Sequence, residues 1–176
     1  MDTIAILIPV FNEEKSIVEL TNELEKACVL ISNTHKVNFR IIFVDDGSSD
    51  SSVERIIQLK DHQLPIQLIS LSRNFGKEAA ISAGLEAGKD DSAILIMDAD
   101  LQHPPALIQK LIGEYMNKNV DMVYAFKQSR KTEGLLSRLM SKIFYNLINT
   151  NSRFDIPKDA GDFRILSKKV VRSILN

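Results

Sequence analysis

Asp98-Ala99-Asp100 is the part of this chain whose residue types and spacing bear most directly on chemistry. The apolar run Ile94–Met97 delivers two carboxylates, two positions apart, into a turn that Pro104 and Pro105 convert into a helix start. Aspartates at alternate positions can share one hard divalent cation through oxygen ligands. A cation held there would neutralise a diphosphate, which points to a nucleotide-activated substrate. Two acidic residues after a strand also cap helices without any metal, so the triplet has to be weighed with the rest of the chain.

Other segments end in the same way. Val44-Asp45-Asp46-Gly47-Ser48-Ser49-Asp50 closes an apolar run in a tight turn, with Asp50 placed to cap the next helix. If one of the adjacent aspartates points away from the crevice, the other points into it, and Asp46 could accept hydrogen bonds from a nucleobase or ribose. Ser72-Arg73-Asn74-Phe75-Gly76-Lys77 opens a helix whose first N–H groups favour anions, so Arg73 or Lys77 is a candidate phosphate contact. The spacing is not that of a Walker A loop.

The elements that must position these residues follow from hydrophobic period. Strands are expected at Ile4–Pro9, Phe39–Val44, Ile66–Leu71, Ala93–Met97 and Met122–Ala125. Helices are expected at Glu14–Ile31, Ser51–Leu59, Lys77–Ala87, Pro105–Asn117 and Gly134–Ile148. This alternation implies βαβ units, right-handed crossovers and an α/β fold with a mostly parallel sheet and helices on both faces. Polar residues follow each strand: Asn12 and Glu13, Asp45 and Asp46, Arg73 and Asn74, Asp98 and Asp100, then Lys127. In a parallel sheet they share the carboxyl edge, where open α/β sheets bind ligands. Ala79, Ala80, Ala83, Gly84 and Ala87 form a small-residue helix face suited to close packing.

The 176 residues suit one domain, and no repeat or Pro/Gly/Ser-rich linker divides them. No apolar stretch approaches a membrane span, and Met1-Asp2-Thr3 leads into a strand rather than a signal peptide. Cys28 is the only cysteine, which excludes an internal disulfide and reads as a buried small hydrophobe in a reducing compartment. The three histidines, His35, His62 and His103, make no zinc-ligand set. Charge is uneven: residues 127–176 hold 11 Lys+Arg against 4 Asp+Glu, whereas residues 1–126 hold 11 against 19. An acidic front and a basic back suit a metal–diphosphate donor meeting an anionic acceptor or a membrane. Nothing in the chain calls for nucleic acid.

Ile8-Pro9-Val10-Phe11-Asn12-Glu13-Glu14, the Val44–Asp50 turn, Arg73–Lys77, Asp98-Ala99-Asp100-Leu101-Gln102 and Asp159-Ala160-Gly161-Asp162-Phe163-Arg164 occur in this order. Together they resemble the family 2 glycosyltransferases with the Rossmann-like GT-A fold. Within them the chain is similar to the polyprenyl-phosphate branch, which includes dolichol-phosphate mannosyltransferases and bactoprenol glucosyltransferases. The resemblance runs from about Thr3 to Lys169. It implies that Pro9, Phe11, Glu13, Val44 and Asp46 surround the donor nucleoside, and that Asp98, Ala99, Asp100 and Gln102 handle metal, diphosphate and sugar. Metal ligation by Mg2+ or Mn2+ would fall to Asp98, Asp100 and Gln102. Lys127 stands where relatives often carry a phosphate-contacting arginine. Asp162 matches the position proposed as catalytic base, and Arg164 a phosphate-contacting arginine. Membrane relatives continue into transmembrane helices, which are not found in these residues.

Acceptor chemistry refines that expectation. A hydroxyl acceptor needs a base at the attacking oxygen. A lipid monophosphate is already anionic near pH 7, with a second pKa of about 6, and needs positive guidance instead. Arg130, Lys131, Arg138, Lys142 and Arg164 could supply it, leaving Asp162 to orient Arg164 or the sugar. Leu135, Leu136, Leu139, Met140, Ile143, Phe144, Leu147 and Ile148 form a stripe that fits either a core-facing helix or an interfacial membrane helix.

The expected activity is an inverting, metal-dependent transfer from a UDP- or GDP-sugar to a polyprenyl phosphate at the cytoplasmic membrane face, with Asp100 and Asp162 at the reacting centre. The alternatives are transfer to a saccharide hydroxyl in surface-polysaccharide assembly, or a non-catalytic subunit that binds sugar nucleotides. Haloacid-dehalogenase-like phosphohydrolases also use D-x-D, but near the first strand and without the Leu101-Gln102 continuation.

Overall fold

Alternate residues along each central strand belong to different layers, and this two-residue period builds the core. In the computed structural model, which describes residues 2–59, 62–100, 105–118, 120–126 and 160–176, strands β1 (Thr3–Val10), β2 (Asn38–Asp45), β3 (Ile66–Ser70), β4 (Ala93–Ile96), β5 (Met122–Phe126) and β6 (Ala160–Ser167) form one sheet. Its order is β3-β2-β1-β4-β6-β5. Strands β1 to β4 run parallel, whereas β6 is antiparallel to both β4 and β5. β5 therefore points the same way as β1 to β4, and the start of β6 lies at their carboxyl edge.

The helices are α1 (Ile17–His35), α2 (Ser52–Ile57), α3 (Lys77–Gly88), α4 (Pro105–Lys118) and α5 (Lys168–Leu175). On one face, Ile4, Ile6 and Ile8 of β1, Ile41 and Phe43 of β2, and Leu95 of β4 pack against α1, α2 and α4. On the other, Leu7, Ile42, Val44, Ile94 and Ile96 pack against α3 and α5. The small-residue face of α3 is structural, as expected: a Cβ at Gly84 would collide with the Leu7 side chain. One at Gly88 would meet Ile94 Cδ1 at 2.7 Å.

The five expected strands are present, and four of the expected helices. Helix α1 starts at Ile17 rather than Glu14, because Glu13–Ser16 closes a turn first, with Ser16 N–H donating to Glu13 O at 3.1 Å. It ends at a left-handed Lys36, φ 55°, whose N–H returns to Ser32 O. β6 and α5 were not expected. Ser167 caps α5 by accepting from Val170 N–H, and donates its own hydroxyl to Asp121 at 3.0 Å. The expected helix Gly134–Ile148, with its apolar stripe, lies outside the described residues. No described helix is long and apolar enough to cross a membrane.

Candidate active site

The carboxyl edge is brought into line by strand register. Val10 pairs with Asp45 and Asp45 with Ser70, while Leu7 pairs with Ile96, which puts position 98 two residues beyond that rung and level with Pro9. Arg164 of β6 pairs with Ile96, so position 162 stands at the same edge as position 98.

A cleft of about 330 Å³ opens there, at the small end of the range of ligand pockets. β1 and the loop beyond it supply Pro9, Val10, Phe11 and Glu13, the turn after β2 supplies Asp46, and the entry to α3 supplies Asn74, Gly76 and Lys77. Asp98, Ala99 and Asp100 follow β4. Ala99 has only 3 % of its surface exposed and its methyl joins the core under α1 and α4. Beyond the end of β4, Ala99 turns inward while the acids on either side of it line the cleft.

The two adjacent aspartates at the end of β2 divide their work, Asp45 as its last residue and Asp46 just beyond it. Buried Asp45 accepts from Ser48 N–H and Ser70 hydroxyl, both at 3.2 Å, and so holds the turn. Asp46, 3 % exposed, accepts the N–H groups of Phe75 and Gly76 on its two oxygens, both at 2.8 Å. It therefore ties the loop before α3 to β2 and keeps one further lone pair on each oxygen. Gly47 makes that contact possible: its φ is +73°, and a Cβ would lie 2.5 Å from Arg73 C and 2.7 Å from Asn74 N. Gly76 has φ 97° and ψ 154°, backbone essentially reserved for glycine.

A second set of bonds joins the loops after β1 and β2. Asn12, left-handed at φ 58°, donates its N–H to Ser48 Oγ and accepts from Ser49 N–H. Glu13 N–H donates to Ser52 Oγ at 2.8 Å, Glu14 N–H to Asp50, and Ser51 N–H to Glu14. Asp50 also accepts from Ser52 N–H at the start of α2. Desolvation pushes the Asp50 carboxyl up, but the Ser52 hydroxyl and the N–H groups of Glu14 and Ser52 outweigh it and hold its pKa below the ordinary value.

Across the cleft Lys77 Nζ lies 2.6 Å from Asp98 Oδ1. Arg73 does not line the cleft; its guanidinium stacks 4.2 Å from the Phe75 ring centre. Of these two basic residues, Lys77 is the one that lines the cleft. Cys28 is buried as expected, with its thiol pushed up to about 12 by desolvation. His62 Nε2 faces Glu25 at 3.0 Å, remote in the fold from the cleft lining.

Pro9, Phe11, Glu13, Asp46, Asp98, Ala99 and Asp100 are thus gathered around one cleft. Val44 is not: its side chain is fully buried against α3, because it alternates with Phe43 on the other face of the sheet. Any part it plays in the cleft falls to its backbone. Gln102, Lys127, Arg130 and Arg138 lie outside the described residues, as do Lys131, Lys142 and His103. Asp162 is placed by its backbone in β6. Arg164 is partly buried there, and its Nε has no hydrogen-bond partner among the described residues. Val10 and Gly76 were not singled out as site residues from the sequence, whereas Asn74 was placed at the ligand-binding edge. The signal for Gly76 was the Gly76-Lys77 helix start after a strand.

Among the described residues no group of three or more His, Cys, Asp or Glu side chains forms a metal cage. The two cleft aspartates suit a hard cation of the Mg2+ type, which takes one or two carboxylates and completes its shell with substrate phosphates and water.

Comparison with known proteins agrees with this architecture. The family model described as glycosyl transferase family 2 matches residues 5–175. The chain is 36 % identical over 171 residues to the bactoprenol glucosyl transferase of Shigella phage SfV, covering 97 % of this chain and 54 % of that protein. It is 38 % identical over 169 residues to an uncharacterized glycosyltransferase of Bacillus subtilis, covering 94 % of this chain and 50 % of the relative. The chain thus spans about half the length of the curated relatives it matches. Two solved structures share the fold at 16 % identity and a TM-score of 0.68. They are S. aureus TarS 1-349 in complex with UDP, covering 99 % of this chain and 49 % of that one, and a Pyrobaculum calidifontis mannosyltransferase in complex with GDP-Man and Mn2+, covering 97 % and 46 %. The alternating core, the carboxyl-edge cleft and the family match lead to one conclusion: this chain belongs to the family 2 glycosyltransferases and has the GT-A fold.

Proposed function

We propose that residues 1–176 form the catalytic domain of an inverting, metal-dependent glycosyltransferase that moves a sugar from a UDP- or GDP-sugar to a polyprenyl phosphate at the cytoplasmic membrane face. The observation that carries this reading is the charge of the cleft. Four carboxylates line it, Glu13, Asp46, Asp98 and Asp100, against the single ammonium of Lys77 among the described residues. An anionic diphosphate entering such a site needs added positive charge, and Asp98 and Asp100, with Gln102, are the groups to hold a cation that provides it. That cation would be Mg2+ or Mn2+, and its chemistry when bound is to stabilise the departing nucleoside diphosphate.

The chain's own residues do the rest. Pro9, Phe11 and Glu13 enclose the nucleoside on the β1 side. Asp46 fixes the opposite wall through Phe75 and Gly76 N–H and has lone pairs left for a base or ribose. Attack on the anomeric carbon by one acceptor in a single displacement inverts its configuration. A phosphate acceptor arrives ionised, so Arg130, Arg138 and Arg164 guide it, while Lys127 contacts the donor and Asp162 orients Arg164 or the sugar. Arg164 lies opposite Ile96, two positions before Asp98, and its buried Nε, without a hydrogen-bond partner among the described residues, supports that assignment. The polyprenyl acceptor is supported by the relatives named bactoprenol glucosyl transferase.

The test is a transfer assay with UDP- and GDP-sugars, Mg2+ or Mn2+, and two acceptors, a polyprenyl phosphate in detergent and an oligosaccharide. Glycosylated lipid phosphate, lost on chelation, is expected. Product on the saccharide alone would reject the lipid acceptor, and metal-dependent nucleotide binding without turnover would favour a non-catalytic subunit.

A further inference from the structure

Lys77 is the first residue of α3, and its root is fixed by the neighbouring backbone: Asp46 holds Phe75 and Gly76 N–H, and Gly47 packs against Arg73 and Asn74. From there its ammonium reaches across the cleft to Asp98 Oδ1. The pair keeps 40 % and 32 % of its side-chain surfaces exposed, so solvent screening leaves it weak enough to exchange. Asp98 is also one of the two acids that would hold the divalent cation. An ammonium and a dication cannot both sit at ligand distance from one carboxylate oxygen without strong mutual repulsion.

Resting on the reading of the cleft as a site for a nucleoside diphosphate and a divalent cation, we propose that Lys77 is an exchangeable counter-ion. It pairs with Asp98 in the cation-free cleft and transfers to the nucleotide's diphosphate when the cation takes Asp98. Lys77 has a flexible four-carbon stem and a point charge with three donors, which suits movement between two anions a short distance apart. Metal binding alone takes an anionic partner from Lys77. The diphosphate supplies a new one. Metal and nucleotide therefore bind cooperatively, each raising the other's affinity by the same factor, as linkage requires. No covalent step is involved.

The experiment is calorimetric titration of the whole chain with Mn2+ alone, with UDP and GDP alone, and with each nucleotide in saturating Mn2+. It is run on wild type, Lys77→Met and Lys77→Arg, with circular dichroism to confirm that each variant is folded. Lys77→Met should bind Mn2+ alone about 3- to 10-fold more tightly and lose a similar factor from a metal–nucleotide coupling that is typically about 5- to 150-fold, the remainder coming from the direct contact of cation and diphosphate. Lys77→Arg, which keeps the charge, should retain the coupling. If wild type binds a nucleotide with Mn2+ but Lys77→Met leaves either the Mn2+ affinity or the coupling unchanged, the exchange is overturned while the site stands. If wild type binds neither nucleotide with Mn2+, the reading of the cleft itself fails, and the exchange with it.

Discussion

Replacing Gly47 with alanine tests whether the β2 turn holds the cleft wall. The residue has φ +73°, and the left-handed region costs an L-residue about 1–2 kcal/mol. The added Cβ would stand 2.5, 2.7 and 2.9 Å from Arg73 C, Asn74 N and Arg73 Cα, well inside the ordinary carbon separation of about 3.5 Å. All three are backbone atoms, so residues 73 and 74 must retreat. Retreat stretches the two 2.8 Å bonds from Phe75 and Gly76 N–H to Asp46. Bonds to a charged group contribute about 1.5–3 kcal/mol each, so loss of one brings the total to about 2.5–5 kcal/mol. For a chain of this size each kcal/mol shifts Tm by about 2–4 °C, which makes a fall of about 5–20 °C. Gly76→Ala is the control, because its Cβ would meet nothing within 4 Å and the cost is conformational alone, about 1–3 kcal/mol. Urea unfolding and thermal melts measure both. A Gly47→Ala variant that loses less than Gly76→Ala, or less than about 1 kcal/mol, would refute the clamp.

Three further outcomes follow from the same geometry. Asp46→Asn supplies one acceptor oxygen but turns an NH2 toward the second backbone N–H, so urea unfolding should show a loss of about 1.5–3 kcal/mol, with weaker nucleotide binding in calorimetry. Cys28, buried and with its thiol held near 12, should stay unreactive toward Ellman's reagent at pH 8 and react fully in denaturant. The lowered carboxyl of Asp50 contributes stability that is complete above the ordinary carboxylate pKa and is lost as pH falls through its depressed folded value. Asp50→Asn should therefore flatten the acid side of a melting-temperature profile, and an unchanged profile would remove Asp50 from that role.

The central sheet was legible because β1, β2 and β4 are buried on both faces and read as continuous apolar runs bounded by polar turns. The same logic gathers Glu13, Asp46, Asp98 and Asp100 at one edge from sequence alone. β6 was not legible: Gly161, Asp162 and Arg164 interrupt its apolar residues, and its pairing with β4 depends on a strand about 70 positions away in the chain. Helix α5 left a weaker trace, Ser167 ahead of Val170, Val171, Ile174 and Leu175, that a capping argument could have used. Val44 was placed at the site by family resemblance, whereas strand alternation alone assigns it to the face opposite Phe43. The roles of Asp46 and Lys77 depend on partners 29 and 21 positions away, which local pattern does not carry.

The most direct measurement is anomalous diffraction at the manganese edge from crystals grown with Mn2+ and UDP or GDP. The account predicts one Mn2+ peak between the Asp98 and Asp100 carboxylates and the nucleotide's pyrophosphate. A peak at other residues, or a pyrophosphate bound away from these two aspartates, would contradict it.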